Sequence, residues 1–258
     1  MSDIVQYEVQ GRVAVITLNR PEARNAVNGD VANGMEAAID QLEGDPAVWV
    51  GVLRANSEGQ AKPVFCAGAD LKAINSGQAG ALSTRRGGFA GFVYRERTKP
   101  VIVAVDGLAT AGGLEIVLGA DLVVASTQAS FGLAEVKRNL IAGAGGLFRA
   151  IGQAAAMEAI LTGEPFTAER AYELGLVSRL TEPGRAFEEA MNLAAQITAA
   201  APLAVYASRR VVLAANSGDD EMLKDMTNRE FAAVMASEDT KEGLTAFIEK
   251  RAPNWQGR

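Results

Sequence analysis

The stretch from Pro100 to Glu135 constrains this chain more than any other. It opens with a short apolar run, Val101-Ile102-Val103-Ala104-Val105, β-branched enough to predict a buried strand. The loop Asp106-Gly107-Leu108-Ala109-Thr110 leads into Ala111-Gly112-Gly113 and then the apolar helical run Leu114-Glu115-Ile116-Val117-Leu118. Paired glycines at that junction let the backbone bend tightly and leave its N–H groups uncovered. The first N–H groups of a helix lack intrahelical partners and sit at the positive end of its dipole, where a developing anion is favoured. Glu115 follows one turn in, among apolar neighbours and with no basic residue near it in sequence. A carboxylate so placed is buried, paired across space, or functional. Twenty residues on stands a second acid, Glu135, after Ser130-Phe131-Gly132-Leu133-Ala134. Taken singly, each feature has a plainer reading: the glycines as a tight turn, Glu115 as an exposed helix residue, Glu135 as an ion-pair partner of Lys137 or Arg138. Their order is what points to a site.

Composition narrows the chemistry. Among 258 residues there is no histidine and one cysteine, Cys66. That removes Ser-His-Asp and Cys-His nucleophile systems, imidazole bases and the usual zinc sites. Acid–base work must then fall to Asp, Glu, Lys or Tyr, with carboxylates leading. A single cysteine excludes an internal disulfide framework and fits a reducing cytoplasm. A net charge of −6 argues against a general nucleic-acid binder, which wants a basic face. No apolar run approaches the roughly 20 residues needed to span a bilayer, and Met1-Ser2-Asp3-Ile4 shows no basic-then-apolar export signal. The expectation is a cytoplasmic protein with neither membrane nor nucleic-acid partners.

In chain order, Ile4 to Leu18 alternates and breaks at Gln10-Gly11, predicting a hairpin. Asn28 is placed to cap a helix running to about Leu42, which Gly44-Asp45-Pro46 stops. Strands are expected over Val48–Leu53 and Val64–Phe65, followed by a second small-residue turn, Ala67-Gly68-Ala69-Asp70-Leu71, into a helix. Lys72 to Gly91 is rich in Gly, Ala, Ser and Arg and predicts a mobile surface segment; Phe92 to Arg97 predicts the end of a helix. After the Asp121–Ala125 strand come helices over Ala154–Leu161, Thr167–Leu174 and Arg185–Ala199, with a strand at Leu176–Leu180. Past Pro202 only helical patterns remain, the last with Asp239 and Glu242 spaced as a capping box. An α/β core over 1–199 and an all-helical module over 200–258 follow from this order.

These blocks resemble the crotonase superfamily, the enoyl-CoA hydratase/isomerase group. The resemblance covers nearly the whole chain and is carried by Asn19-Arg20-Pro21-Glu22-Ala23 through Asn25-Ala26, Phe65-Cys66-Ala67-Gly68-Ala69-Asp70-Leu71, and Val105-Asp106-Gly107 through Gly112-Gly113-Leu114-Glu115. It continues through Ala129-Ser130-Phe131-Gly132 to Glu135, Gly143-Ala144-Gly145-Gly146, and Ala246-Phe247-Ile248-Glu249-Lys250-Arg251. It implies a spiral of βαβ-type turns, a C-terminal helical trimerisation module, assembly as a homotrimer or homohexamer, and an acyl-CoA thioester substrate with no metal and no further cofactor. By position, the N–H groups of Ala69 and Gly112 would hold the thioester oxygen, and Glu115 and Glu135 would act on one water. Hydratases of the family carry both acids, whereas the isomerase branch usually keeps one, near the second position. The expected reaction is hydration of trans-2-enoyl-CoA in fatty-acid or steroid side-chain oxidation. The alternatives are isomerisation, thioester hydrolysis, or acyl-CoA binding without catalysis.

Residues expected to line the coenzyme and acyl site are Arg24, Ala67, Ala69, Asp70, Leu71, Lys72, Gly112, Phe247 and Lys250, with Lys250 reaching a neighbouring subunit's site. Arg85-Arg86 could also meet phosphates, and each of these cations could equally be a solvated surface charge. Three positions depart from the family pattern: Ala111 where a third glycine is frequent, and Ala134 and Ala142 where proline is. Cys66, without a histidine to activate it, is expected to be a small core residue. The small residues of Lys72–Gly91 imply room for bulky acyl groups.

Overall fold

The computed structural model describes residues 4–141, 143 and 145–258. The N-terminal Met1–Asp3, and the Ala142 and Ala144 named above, lie outside the described residues. Strands β1 (Val5–Gln10) and β2 (Val13–Leu18) form the expected hairpin, antiparallel with Val5 opposite Leu18, and turn at Gly11, whose φ is +61°. All of β2 is buried, so it has protein on both faces. The following helix, α1 (Gly29–Gly44), starts where the Asn28 side chain accepts the Val31 N–H at 3.0 Å. Strand β3 (Val50–Ala55) begins two residues later than the apolar run does. The N–H of Val48 goes to Asp45 O and that of Trp49 to Arg12 O, so both belong to the turn.

From here the chain alternates between two sheets. Next come β4 (Val64–Cys66), α2 (Leu71–Asn75), the two-residue strands β5 (Ser83–Thr84) and β6 (Gly88–Phe89), and β7 (Val101–Val105). Then follow β8 (Leu108–Thr110), α3 (Gly112–Leu118), β9 (Leu122–Ser126) and β10 (Ser130–Gly132). The larger sheet has the order β1-β2-β3-β7-β9 and ends on β12 (Arg179–Thr181); every pair from β2 onward is parallel. The smaller sheet places β4, β8 and β10 side by side and parallel, closed by the antiparallel β11 (Phe166–Thr167). Each of β3, β7 and β9 in the first sheet is thus followed by β4, β8 or β10 in the second. This is a spiral, and it aligns the C-terminal ends of three parallel strands.

Helices α4 (Gly145–Ile151), α5 (Gln153–Thr162), α6 (Ala168–Glu173) and α7 (Ala186–Thr198) follow β10. On α7, Ala186, Ala190 and Ala194 form a stripe at i, i+4, i+8 that packs against Val50, Val52, Ile102 and Val124 of the larger sheet. Three helices end the chain: α8 (Pro202–Ala214), α9 (Asp220–Met235) and α10 (Glu238–Glu249). Helix α8 is tied to the sheets by Arg209, whose Nε donates to Asp121 at 2.8 Å, and by Tyr206, whose hydroxyl donates to Trp49 O at 3.3 Å. Asp121 also pairs with Arg97, an almost fully buried guanidinium, at 3.3 Å.

Four local expectations are corrected. The Leu108–Thr110 stretch of the expected loop is strand β8, because β4 and β10 flank it. Phe92–Arg97 is not helical: a turn through Tyr94 runs into irregular backbone, anchored by buried Phe92 and by Arg95 on Asp40 (2.7 Å). Lys72–Gly91 is not a loose surface stretch. Its β5–β6 hairpin is clamped to α1 by Arg86, at 2.6 Å from Asp40 and 3.1 Å from Glu36, and by Thr84 on Glu36. The cap of α10 is Ser237, accepting the Thr240 N–H at 3.2 Å. Asp239 is buried and accepts the N–H groups of Gln256 and Gly257 at 2.7 and 2.8 Å, while Glu242 binds Arg251.

Candidate active site at the ends of three parallel strands

Ligands of open parallel sheets settle beyond the C-terminal ends of the strands. Here Ala67–Asp70 follows β4, Ala111-Gly112 follows β8, and Glu135 follows β10, so the spiral gathers them at one edge. A cavity of about 1230 Å³ opens there. Ala67, Ala69, Asp70, Leu71, Lys72, Gly112, Glu115, Glu135 and Arg24 all line it. Phe247 and Lys250 do not; both stand exposed at the end of α10.

The first turn is held from below. Asn25 is buried, and its side-chain amide donates to Asn56 O (2.9 Å) and Val64 O (3.2 Å) while its Oδ1 accepts the Arg20 N–H (2.9 Å). The Cys66 thiol donates to Asn25 O at 3.1 Å and accepts the Gly68 N–H at 3.4 Å. Burial pushes that thiol up to about 12, so it is no nucleophile, in line with the core role expected of it. Asp70 accepts from Arg20 at 2.6 Å and from the Lys72 N–H at 2.9 Å, capping α2. The Arg20 contact, aided by the backbone bonds, holds its carboxyl below the usual range. Asp70 therefore lines the cavity with its charge already committed. The Gly68 N–H goes to Cys66 and the Asp70 N–H to Val27 O, so among the described residues the intervening Ala69 N–H has no acceptor.

The second turn presents the same pattern. Ala111 N–H donates to Gly132 O and Leu114 N–H to Ala111 O, which leaves the Gly112 N–H at the start of α3 without an acceptor among the described residues. The turns touch: a Cβ added to Gly68 would stand 2.9 Å from both the Ala111 Cβ and the Gly112 N. Gly68 has φ +86°, so it needs glycine on both counts. Ala111 holds φ 54°, ψ −130°, which costs an L-residue on the order of 1–3 kcal/mol.

Neither acid takes its plainer role. Glu115 faces the cavity, and its Oε1 accepts the Gly143 N–H at 3.0 Å. Lys137 pairs with Glu164 at 2.6 Å and Arg138 donates to Ala134 O, so Glu135 forms no ion pair with either neighbour. Its Oε2 is buried without a hydrogen-bond partner. Burial raises the carboxyl's pKa, and the Glu115 charge raises it further. Two carboxylates of unlike environment thus share a cavity with two unused backbone donors, the arrangement acid–base chemistry on a carbonyl compound requires.

Arg24 lines this cavity and an adjoining one of about 950 Å³ that runs past Gln60, Lys62 and Pro63. Together they make an elongated site. Arg86 is spent on Asp40 and Glu36 and lines neither. Phe89 is a wall residue that the sequence reading missed, since it lay in the segment taken as mobile; its ring rests where a Cβ on Gly112 would be 2.3 Å away. Leu140 and Ile141, both exposed, add apolar surface near Glu135.

A fold that spirals between two sheets, with two uncommitted backbone N–H groups and two glutamates gathered at one edge, has the form of an acid–base enzyme acting on an activated carbonyl. The enoyl-CoA hydratase/isomerase family model matches residues 8–258. The chain is 39% identical over 260 residues to (E)-benzylidenesuccinyl-CoA hydratase of Thauera aromatica, covering 98% of this chain and 99% of that one. It is 35% identical to carnitinyl-CoA dehydratase of Salmonella typhi, with both covered in full. The crystal structure of an enoyl-CoA hydratase from Mycobacterium tuberculosis H37Rv superposes with TM-score 0.92 at 43% identity, again over the full length of both. The chain belongs to the enoyl-CoA hydratase/isomerase family.

Proposed function

We propose that this enzyme adds water across the C2=C3 bond of trans-2-enoyl-CoA thioesters, yielding 3-hydroxyacyl-CoA. The observation that carries this reading is the pair Glu115 and Glu135 on one cavity, beside the unpartnered N–H groups of Ala69 and Gly112. The two donors take the thioester oxygen as it becomes enolate-like. Such preorganised donors are worth about 3–4 kcal/mol each at the transition state. Glu115, oriented by Gly143 N–H, aligns and polarises the water that attacks C3, and Glu135 delivers a proton to C2. The proton lost by the water returns to the carboxylate pair, so the enzyme ends as it began. This chemistry calls for no metal and no cofactor beyond the coenzyme A of the substrate. The test is turnover of trans-2-enoyl-CoA, followed as loss of the conjugated thioester absorbance, with isomerisation and hydrolysis assayed beside it. Faster isomerisation of a 3-enoyl-CoA than hydration would replace this reading with the isomerase one.

The relatives whose names speak of benzylidenesuccinyl and carnitinyl thioesters, and the size of the cavity, support acyl groups larger than a four-carbon chain. Catalytic efficiency across enoyl thioesters is expected to hold or rise toward bulky acyl groups, a steroid side chain among them. A sharp maximum at four carbons, with no turnover of bulky thioesters, would refute that preference.

The 200–258 helices are proposed as the oligomerisation module. No residue of α9 is buried in the single chain, and Met222, Phe231 and Met235 stand exposed with Leu244, Phe247 and Ile248 of α10. A second copy covers such a face at the least cost in exposed apolar surface. Assembly as a trimer or a pair of trimers would also bring Phe247 and Lys250 to a neighbour's site. Light scattering at micromolar concentration is expected to give a trimer or hexamer mass; a monomer mass would count against it.

A further inference from the structure

Ala111 occupies a backbone region that only glycine populates freely, at φ 54° and ψ −130°. Arg24, Asn139 and Lys250 also have positive φ, but with ψ of 37°, 37° and 40° they lie in the left-handed helical basin that L-residues visit. Ala111 is held where it is by contacts on three sides. Its N–H donates to Gly132 O at 2.9 Å and its carbonyl accepts the Leu114 N–H at 2.9 Å. Its methyl abuts Gly68, the residue before the first oxyanion donor. The ψ torsion of Ala111 sets the direction of the next N–H, that of Gly112. Any rotation there swings the second donor out of line with the first.

We propose that Ala111 is a positioning residue for the oxyanion hole: its methyl, wedged against Gly68, locks the Ala111–Gly112 peptide so that the Gly112 and Ala69 N–H groups aim at one oxygen. Glycine at 111 would sit without strain but would let the peptide turn. The strain is thus kept for catalysis at a cost in stability. The proposal rests on the hydratase reading of this site.

The experiment compares Ala111→Gly and Ala111→Ser in the full chain. Relief of strain in Ala111→Gly is expected to raise Tm by about 2–4 °C. Its kcat is expected to fall about 10-fold, a part of the 10²–10³ that loss of a whole donor costs, with KM within about twofold. Binding of cinnamoyl-CoA reports the hole directly, because the absorption of this chromophoric thioester moves to longer wavelength as its carbonyl is polarised. That shift is expected to shrink in Ala111→Gly and to return, along with kcat, in Ala111→Ser, which keeps the Cβ. A glycine variant with wild-type kcat and a full shift overturns the proposal, as does a serine variant no better than glycine. Should the wild type hydrate no enoyl-CoA, the hydratase reading fails, while the absorption shift still decides the role of Ala111.

Discussion

Glu135→Gln is expected to cut hydration of a trans-2-enoyl-CoA by about 10²-fold or more while leaving thioester affinity close to wild type, since glutamine keeps the volume and loses the proton. Glu115→Gln is expected to lose at least as much, because glutamine in place of the carboxylate that accepts from Gly143 polarises the water less. The double variant should be scarcely slower than the worse single one, for in the proposed mechanism both acids act on one water. Exchange of the substrate's C2 proton should depend far more on Glu135. Near-normal hydration by Glu115→Gln beside a dead Glu135→Gln would instead mark a single-acid isomerase. The pH profile is a second measure. Burial and the Glu115 charge raise the Glu135 pKa, so the proton that the proposed mechanism has it donate persists to higher pH than on an ordinary glutamate. Hydration kcat/KM should therefore fall as pH rises through that raised value, and the limb should vanish in the residual activity of Glu135→Gln. Stability carries the same sign. A folded-state pKa above the unfolded one means the native state binds more protons, so stability declines with rising pH between the two values. Relieved of that burial penalty, Glu135→Gln should melt at or above the wild type near neutral pH.

Gly113→Ala is expected to damage stability and activity together. A Cβ there would lie 2.1 Å from Cys66 O and 2.8 Å from Cys66 C, backbone atoms that cannot rotate away. Helix α3 would have to back off strand β4, and overpacking of this kind costs about 1–3 kcal/mol or more. Calorimetry should show Tm lowered by several degrees. Because Gly112 and Glu115 ride on α3 while Ala69 follows β4, the same displacement separates the two N–H groups proposed as oxyanion donors. Turnover should drop by about 10²-fold, comparable to losing one donor. Gly44→Ala is the control: nothing lies within 4 Å of where its Cβ would stand, its φ is not positive, and it lines neither cavity. An unaltered Tm and rate for Gly113→Ala would show that α3 and β4 are not packed as described.

What the sequence determined by itself was local. The β1–β2 hairpin, the Asn28 cap, the buried β7 run and the long helices after residue 150 were legible because alternation, caps and periodicity act within a few residues. The small-residue turns at Ala69 and Gly112 were legible from glycine placement, and Glu115 from its apolar surroundings and the absence of histidine, whereas pairing the two turns and joining Glu135 to Glu115 came from the family resemblance. Tertiary structure alone decided the rest. Strands β8 and β10 are three residues each and exist only because β4 lies beside β8 and β8 beside β10, pairings that periodicity does not name. The β5–β6 hairpin is ordered by Glu36 and Asp40, some fifty residues earlier on α1. Asp239 binds the chain's last residues rather than capping its own helix, because burial beside them offers stronger partners than its own first turn. A periodic pattern states which face is buried but not which segment buries it. The meeting of Ala69, Gly112, Glu115 and Glu135 at one edge is therefore a property of strand order.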